Sequence, residues 1–164
     1  MTHQVQEHFK QAMSRFGTGV CVMTYKKPDT GAVEGVTISA FSSLSLDPVK
    51  ILFCLGRDGQ CHQDFKAVSE FTVNILSAGQ KDLCYQFAGK NRDGIDAHLT
   101  DLDGVPALTN TLASIVCDTG NMHPEGDHDI IVGNVRHVEV SDDEALQPLL
   151  YYRSAIIEDY QHPA

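Results

Sequence analysis

Five hydroxyl residues fall within one short stretch: Thr37, Ser39, Ser42, Ser43 and Ser45, just ahead of Leu46-Asp47-Pro48. Hydroxyl donors together with loop N–H groups can surround a phosphate or a polyol chain without a cationic surface. The same stretch also reads as a Ser/Thr-rich turn between two strands. A second feature is Gly126-Asp127-His128, at the entry to a strand. A turn there would project His128 from the mouth of a barrel. An imidazole there can donate a proton or hold an amide. Read alone, with no partner residue in view, His128 is also a histidine of a surface turn.

Other chemistries find little support. Cys61 and His62 are adjacent and Cys54 precedes Cys61 by seven positions, but there is no C-x-x-C and no H-x-x-x-H pair. The short-spaced ligand pairs of structural zinc are missing, so no metal site is expected. There is no G-x-S-x-G elbow for a serine hydrolase. Gly17-Thr18-Gly19 is not a dinucleotide fingerprint, because no strand precedes it and no helix follows.

The elements that must position these residues come from periodicity and punctuation. Val5, Phe9, Ala12, Met13 and Phe16 recur at spacings of three and four, which predicts an amphipathic helix. Residues 20–25 and 33–40 read as strands joined by a turn containing Pro28, Asp29 and Gly31, a hairpin. Residues 41–47 read as a polar loop, and 49–55 as the third strand. A short helix is expected over 60–69 and a strand over 71–76. Ser77 followed by Gln80 is a capping box that opens a helix carrying Leu83 and Phe87 on one face. Residues 89–107 show no clear period and read as loop with short turns. Strands are expected over 112–118 and 130–140, with 123–128 as the turn before the second. Strands outnumber helices and follow one another by short turns, which favours a mainly β fold, an antiparallel barrel with a few covering helices.

At 164 residues one domain, 1–164, is expected, long enough to bury its own core. Twelve Lys and Arg stand against 22 Asp and Glu, a formal net charge of -10. Such a chain would be repelled by nucleic acid and by an anionic membrane surface, so neither partner is expected. No apolar run approaches the length of a membrane span, and the first residues lack a basic and then apolar leader. Five widely spaced cysteines, an odd number, point to reduced thiols and the cytoplasm.

Six blocks then occur in a telling order: Arg15-Phe-Gly-Thr-Gly-Val-Cys-Val-Met-Thr24, Gly35-Val-Thr-Ile-Ser-Ala-Phe-Ser-Ser-Leu-Ser-Leu-Asp-Pro48, Val73-Asn-Ile-Leu76, Gln86-Phe-Ala-Gly89, Gly126-Asp-His-Asp-Ile-Ile-Val-Gly133 and Pro148-Leu-Leu-Tyr-Tyr152. Together they resemble the short-chain flavin reductase family, the small FMN-binding split-barrel proteins, over about residues 9–152. The resemblance implies a homodimer of antiparallel split β-barrels with FMN (or FAD) near the subunit interface. It also implies NADH or NADPH as reductant, and for some members a two-component monooxygenase that receives the reduced flavin. Thr37, Ser39, Ala40 and the run Ser43, Leu44, Ser45 would lie against the flavin, with Phe87, Ala88 and Gly89 approaching from another loop. Arg57 and Cys61 fall in the stretch that helps hold phosphate. There Arg57 is kept, while Gln60 and Cys61 stand where such proteins carry hydroxyls. His128 would sit on the open face where the nicotinamide stacks, beside Tyr151, Arg153 and Ser154. In that segment Ser154 stands for a glycine and Ile156 for an aromatic residue. Alternatives to a flavin reductase are a flavin-binding protein without turnover and an FMN-dependent reductase of another acceptor, such as a corrinoid or a quinone.

Overall fold

A computed structural model of the chain describes residues 3–89 and 98–159. Its organising element is a strand with two buried faces. Residues 20–23 are an unbroken apolar run, and β2 (Cys21–Lys26) divides it by alternation. Cys21, Met23 and Tyr25 point into one core, while Val22, with Val20 just ahead of the strand, points into a second. The larger core is built on four aromatic rings. Tyr25 meets Phe65, Phe53 meets Phe65 and Phe71, and Phe65 meets Phe71, all edge-to-face at centroid distances of 5.0–5.5 Å. Edge-to-face contact matches the positive rim of one ring to the negative face of the next. The smaller core sets Leu76, Leu83, Phe87, Leu108 and Leu149 against Val20 and Val22.

The main sheet joins β2 to β3 (Val33–Ile38), β4 (Phe41–Leu46), β5 (Val49–Gly56), β6 (Glu70–Ile75), β9 (Ala113–Glu125) and β10 (His128–Val140). Its order is β3-β2-β6-β9-β10-β5-β4, and every pairing is antiparallel. A small sheet of β1 (Thr18–Gly19), β11 (Leu150–Tyr152) and β12 (Ala155–Ile157) lies beside it, and β7 (Leu99–Leu102) pairs with β8 (Val105–Leu108). Helices α1 (His3–Met13), α2 (Gln60–Phe65) and α3 (Lys81–Phe87) complete the described residues. The mainly β, antiparallel class follows the sequence expectation. The β2–β3 hairpin forms as read, and Ser77 with Gln80 makes the capping box ahead of α3.

Three expectations are corrected. Residues 41–47 are not a loop. They form the edge strand β4, whose backbone pairs with β5 from Phe41↔Phe53 to Leu46↔Val49. Serines discourage this reading, but an edge strand needs only one hydrogen-bonded side and no buried face. Within 89–107 the described part holds the β7–β8 hairpin, turned at Asp103-Gly104 with both φ angles positive, 52° and 85°. Residues 90–97 of that stretch lie outside the described residues. Third, 123–125 belong to β9, so the turn before β10 is only Gly126-Asp127.

Helix α1 is present, but its apolar stripe stays exposed among the described residues. None of its residues is buried, and Phe9 and nearby Phe16 are 63% and 67% exposed. Among the described residues, no helix is long and apolar enough to cross a membrane.

Candidate functional site

The site is built where β3, β5 and the β9–β10 turn come together. The two-residue turn Gly126-Asp127 has its glycine at φ 62°, a conformation open to glycine at little cost. It sets His128 opposite Gly56 in the β5–β10 ladder. The imidazole lies over Gly56, its Nε2 3.6 Å from where a Cβ there would stand, an ordinary contact distance. On its other side, His128 Nδ1 stands 2.7 Å from Asp127 Oδ1. That hydrogen bond holds the Asp127 carboxyl below the usual range. With Nδ1–H donating to the carboxylate, Nε2 is the nitrogen left for a ligand.

An open cleft of about 440 Å³ runs from this turn along β3. Thr37, Ser39 and Ala40 line one side of it. Residues 54–56, Arg57, Cys61, Asp127 and His128 line the rest. At Ser39, Ala40 and Cys54 the cleft merges with a more apolar groove of about 590 Å³. That groove is bordered by Phe9, Met13 and Phe16 of the α1 region, and by Phe41, Leu52, Tyr151 and Ser154. Thr37 and Ser39 also border a smaller recess of about 280 Å³ with Ala88, Tyr151 and Ser154. Thr37 Oγ1 donates to the Cys84 carbonyl at 2.6 Å, so its hydroxyl is left to accept only. The Cys61 thiol donates to the Gly35 carbonyl at 3.7 Å.

Of the residues singled out in the sequence, the cleft and its two extensions therefore gather Thr37, Ser39, Ala40, Arg57, Cys61, Ala88, His128, Tyr151 and Ser154. Ser43, Leu44 and Ser45 stand further along β4, outside these hollows; Ser42 is the β4 serine that borders the groove. Phe87 is buried in the smaller core, with its ring edge against Gly35. Gly89 is exposed at φ 95°. Arg153 packs over the Tyr152 ring, 5.4 Å from its centre.

Three participants were not picked out by sequence reasoning. Gly56 is one. The others are Asp129 and His62, both buried. Asp129 Oδ1 accepts from Arg57 Nε at 2.6 Å and Asp129 Oδ2 meets His62 Nε2 at 2.8 Å. The signal for Asp129 was available. It stands two before Ile131 and four before Gly133 in an alternating strand, so an acid occupies an inward position. Among the described residues, no three His, Cys, Asp or Glu side chains gather as metal ligands.

Comparison with known proteins adds the family. The flavin reductase like domain model matches residues 13–157. An FMN reductase (NADH), SmoA, of Agrobacterium fabrum is 36% identical over 140 residues, covering 84% of this chain and 79% of that protein. HsaB of Mycobacterium tuberculosis, the reductase subunit of a flavin-dependent monooxygenase, is 33% identical over 148 residues, 88% and 78% of the two chains. The solved structure of flavin reductase PheA2 in its native state superposes with a TM-score of 0.86 at 32% identity, covering 98% of this chain and 100% of that one. A cleft with hydroxyls along one side, a guanidinium on the other and an imidazole at its mouth thus stands in a chain that belongs to the flavin reductase like domain family.

Proposed function

We propose that this protein is an NADH-dependent flavin reductase that works as a homodimer in the cytoplasm and hands reduced flavin, FMN (or FAD), to a monooxygenase. The observation that carries it is the cleft between β3 and the β9–β10 turn. There Thr37, Ser39 and Arg57 offer polar contacts, and Ala40, Cys54 and Leu55 offer an apolar surface for a flat ring system. That mixture fits a flavin, whose ring is apolar on its faces and whose tail is hydroxylated and anionic. Bound flavin supplies the capacity to accept a hydride from reduced nicotinamide. The chain's own contribution is positional. His128 Nε2, freed by the Nδ1–Asp127 bond, accepts from the nicotinamide carboxamide at the open mouth. The β3 and β5 backbones keep the two ligands in contact, and such alignment removes several kcal/mol from a bimolecular barrier. NADH as reductant and a monooxygenase as recipient follow what the Agrobacterium and Mycobacterium relatives are named for.

The dimer is supported by α1. Val5, Phe9, Met13 and Phe16 present an apolar face left exposed by the described residues, and Phe9, Met13 and Phe16 border the groove that continues the cleft. The decisive experiment is anaerobic stopped-flow mixing of the protein and FMN with NADH. The flavin's visible band is expected to bleach within the range of enzymatic turnover, and His128→Ala is expected to slow it about tenfold, or to raise the NADH requirement by as much, with FMN affinity unchanged. A parent protein that binds FMN but leaves it oxidised overturns the reductase assignment. Parental kinetics in His128→Ala remove the histidine from the nicotinamide side.

A further inference from the structure

Asp129 and His62 do not line the cleft, yet among the described residues they hold the one Lys or Arg side chain that does. Arg57 follows β5 directly, and its side chain turns back under the β9–β10 turn. Nε donates to Asp129 Oδ1 at 2.6 Å and Nη1 to the Gly126 carbonyl at 3.3 Å, while its backbone N–H donates to the Asp127 carbonyl at 3.0 Å. Nη2 makes no bond to the described residues. The second carboxylate oxygen, Asp129 Oδ2, accepts from His62 Nε2 at 2.8 Å, and His62 is 4% exposed with Nδ1 meeting no protein partner. The carboxylate is therefore bound at both oxygens, and these two bonds hold its carboxyl below the usual range.

This arrangement solves a problem the cleft creates for itself. Asp58 and Asp127 also line it, both exposed. An untethered arginine beside them would fold onto either carboxylate and present nothing to an incoming anion. Tying Nε and Nη1 from behind fixes the plane of the guanidinium and leaves its Nη2 edge for one ligand. A pre-ordered guanidinium also loses less conformational freedom when it binds.

We propose that Asp129, itself fixed by His62, is a positioning residue that aims Arg57 Nη2 at a phosphate group of the bound ligand. The proposal rests on the flavin-reductase reading and names the anion-binding end of that site. Two sources carry this chemistry, the phosphate of FMN and the pyrophosphate of NADH, and the test separates them.

The measurement is the ratio of riboflavin to FMN dissociation constants, by fluorescence titration, for the parent, Arg57→Met, Asp129→Asn and the double variant. In parallel, the KM for NADH is compared with that for 1-benzyl-1,4-dihydronicotinamide, which has no phosphate. Arg57→Met is expected to lower one of the two phosphate preferences about tenfold, as loss of one charge-assisted contact does. Asp129→Asn is expected to lower the same preference by a similar factor and to add nothing in the double variant. His62→Gln, which keeps a donor to Asp129, should retain most of the preference and serves if Asp129→Asn does not fold. A change in the flavin ratio assigns the flavin phosphate, and a change in the NADH ratio assigns the pyrophosphate. If Asp129→Asn and His62→Ala fold and keep both preferences, or if Asp129→Asn costs a further factor on top of Arg57→Met, the positioning role is overturned. In that event tight parental FMN binding leaves the flavin-reductase reading standing. A parent that binds no flavin sinks both together.

Discussion

The two sides of the cleft are built in opposite ways. The β5–β10 side rests on the aromatic core. Phe53 lies on β5 between the rings of Phe65 and Phe71, and the Arg57–Asp129–His62 chain closes the end. Both carboxylate oxygens of Asp129 are bonded there, one to Arg57 and one to His62. The side bordered by α1 and the β11–β12 hairpin is different. Its apolar residues, Phe9, Met13 and Phe16, face outward, and a backbone bond from Arg153 N to the Ser14 carbonyl ties the end of α1 to the hairpin. One side is complete within the chain, and the other has an apolar surface still to be covered. A site that must hold one flat ligand firmly and admit a second gains from this division, because rigidity is needed only where orientation is set.

The largest expected effect tests the division directly. Phe53→Ala removes a fully buried ring with two edge-to-face neighbours and should cost about 3–5 kcal/mol of unfolding free energy in urea. Phe9→Ala removes a ring of similar size that is 63% exposed, and should change the stability of the isolated chain by no more than about 0.5 kcal/mol. It should instead weaken self-association, read as a lower mass in light scattering at micromolar concentration. Equal stability losses in the two variants, with no change in mass, would mean that α1 is covered by its own chain and that the two sides are alike.

The same contrast explains how much was legible in the sequence. The unbroken apolar run of β2 and the alternation of β3 stood out, and so did the Ser77–Gln80 box, because local chemistry decides each. The edge strand β4 did not. Ser42, Ser43 and Ser45 look like loop, and only pairing with distant β5 makes them strand. The β7–β8 hairpin had a local signal, Asp103-Gly104 between apolar residues, the pair that a turn with two positive φ angles prefers. In the site, the hydroxyl segment and the Gly-Asp-His turn were visible as short motifs. The Arg57–Asp129–His62 chain was not, because its members are five and 67 positions from His62 and become neighbours only when β10 pairs with β5. The exposed face of α1 was invisible for another reason: periodicity shows that a helix has an apolar stripe but not what lies against it.

A second, smaller effect concerns acid. Asp129 has its carboxyl held below the ordinary value by His62 and Arg57. A carboxyl depressed in the folded state adds stability that is fully present above its unfolded value, about 3.9, and is lost as pH falls through the folded value. The stability gap between the parent and Asp129→Asn should therefore be widest near neutral pH and narrow below about pH 4. Urea midpoints of both proteins across that range measure it. A gap that stays constant would show that the carboxylate's charge contributes nothing to the closed end, leaving the two sides of the cleft less different than their geometry makes them.

The smallest expected effect comes from an ionic cluster outside the cleft, and it sharpens what burial adds. Arg136 donates Nε to Asp103 at 2.8 Å and Nη1 to Asp118 at 2.8 Å, and reaches Glu70 at 3.1 Å, so one guanidinium ties β10 to β9, β6 and the β7–β8 turn. It binds three carboxylates where Arg57 binds one. Its carboxylates, however, are between 39% and 53% exposed, whereas the Asp129 side chain is 11% exposed. Water already solvates the Arg136 partners well, so Arg136→Ala should cost about 1 kcal/mol or less. Most of that should disappear in 1 M salt, where exposed charges are strongly screened. The Asp129→Asn gap, measured in the same salt series, should persist, because ions reach the buried contact between Asp129 and His62 poorly. If instead both gaps fall in parallel as salt is added, then Asp129 is solvated as freely as the outer cluster, and the closed end of the cleft owes its order to the aromatic core beneath it rather than to its charges.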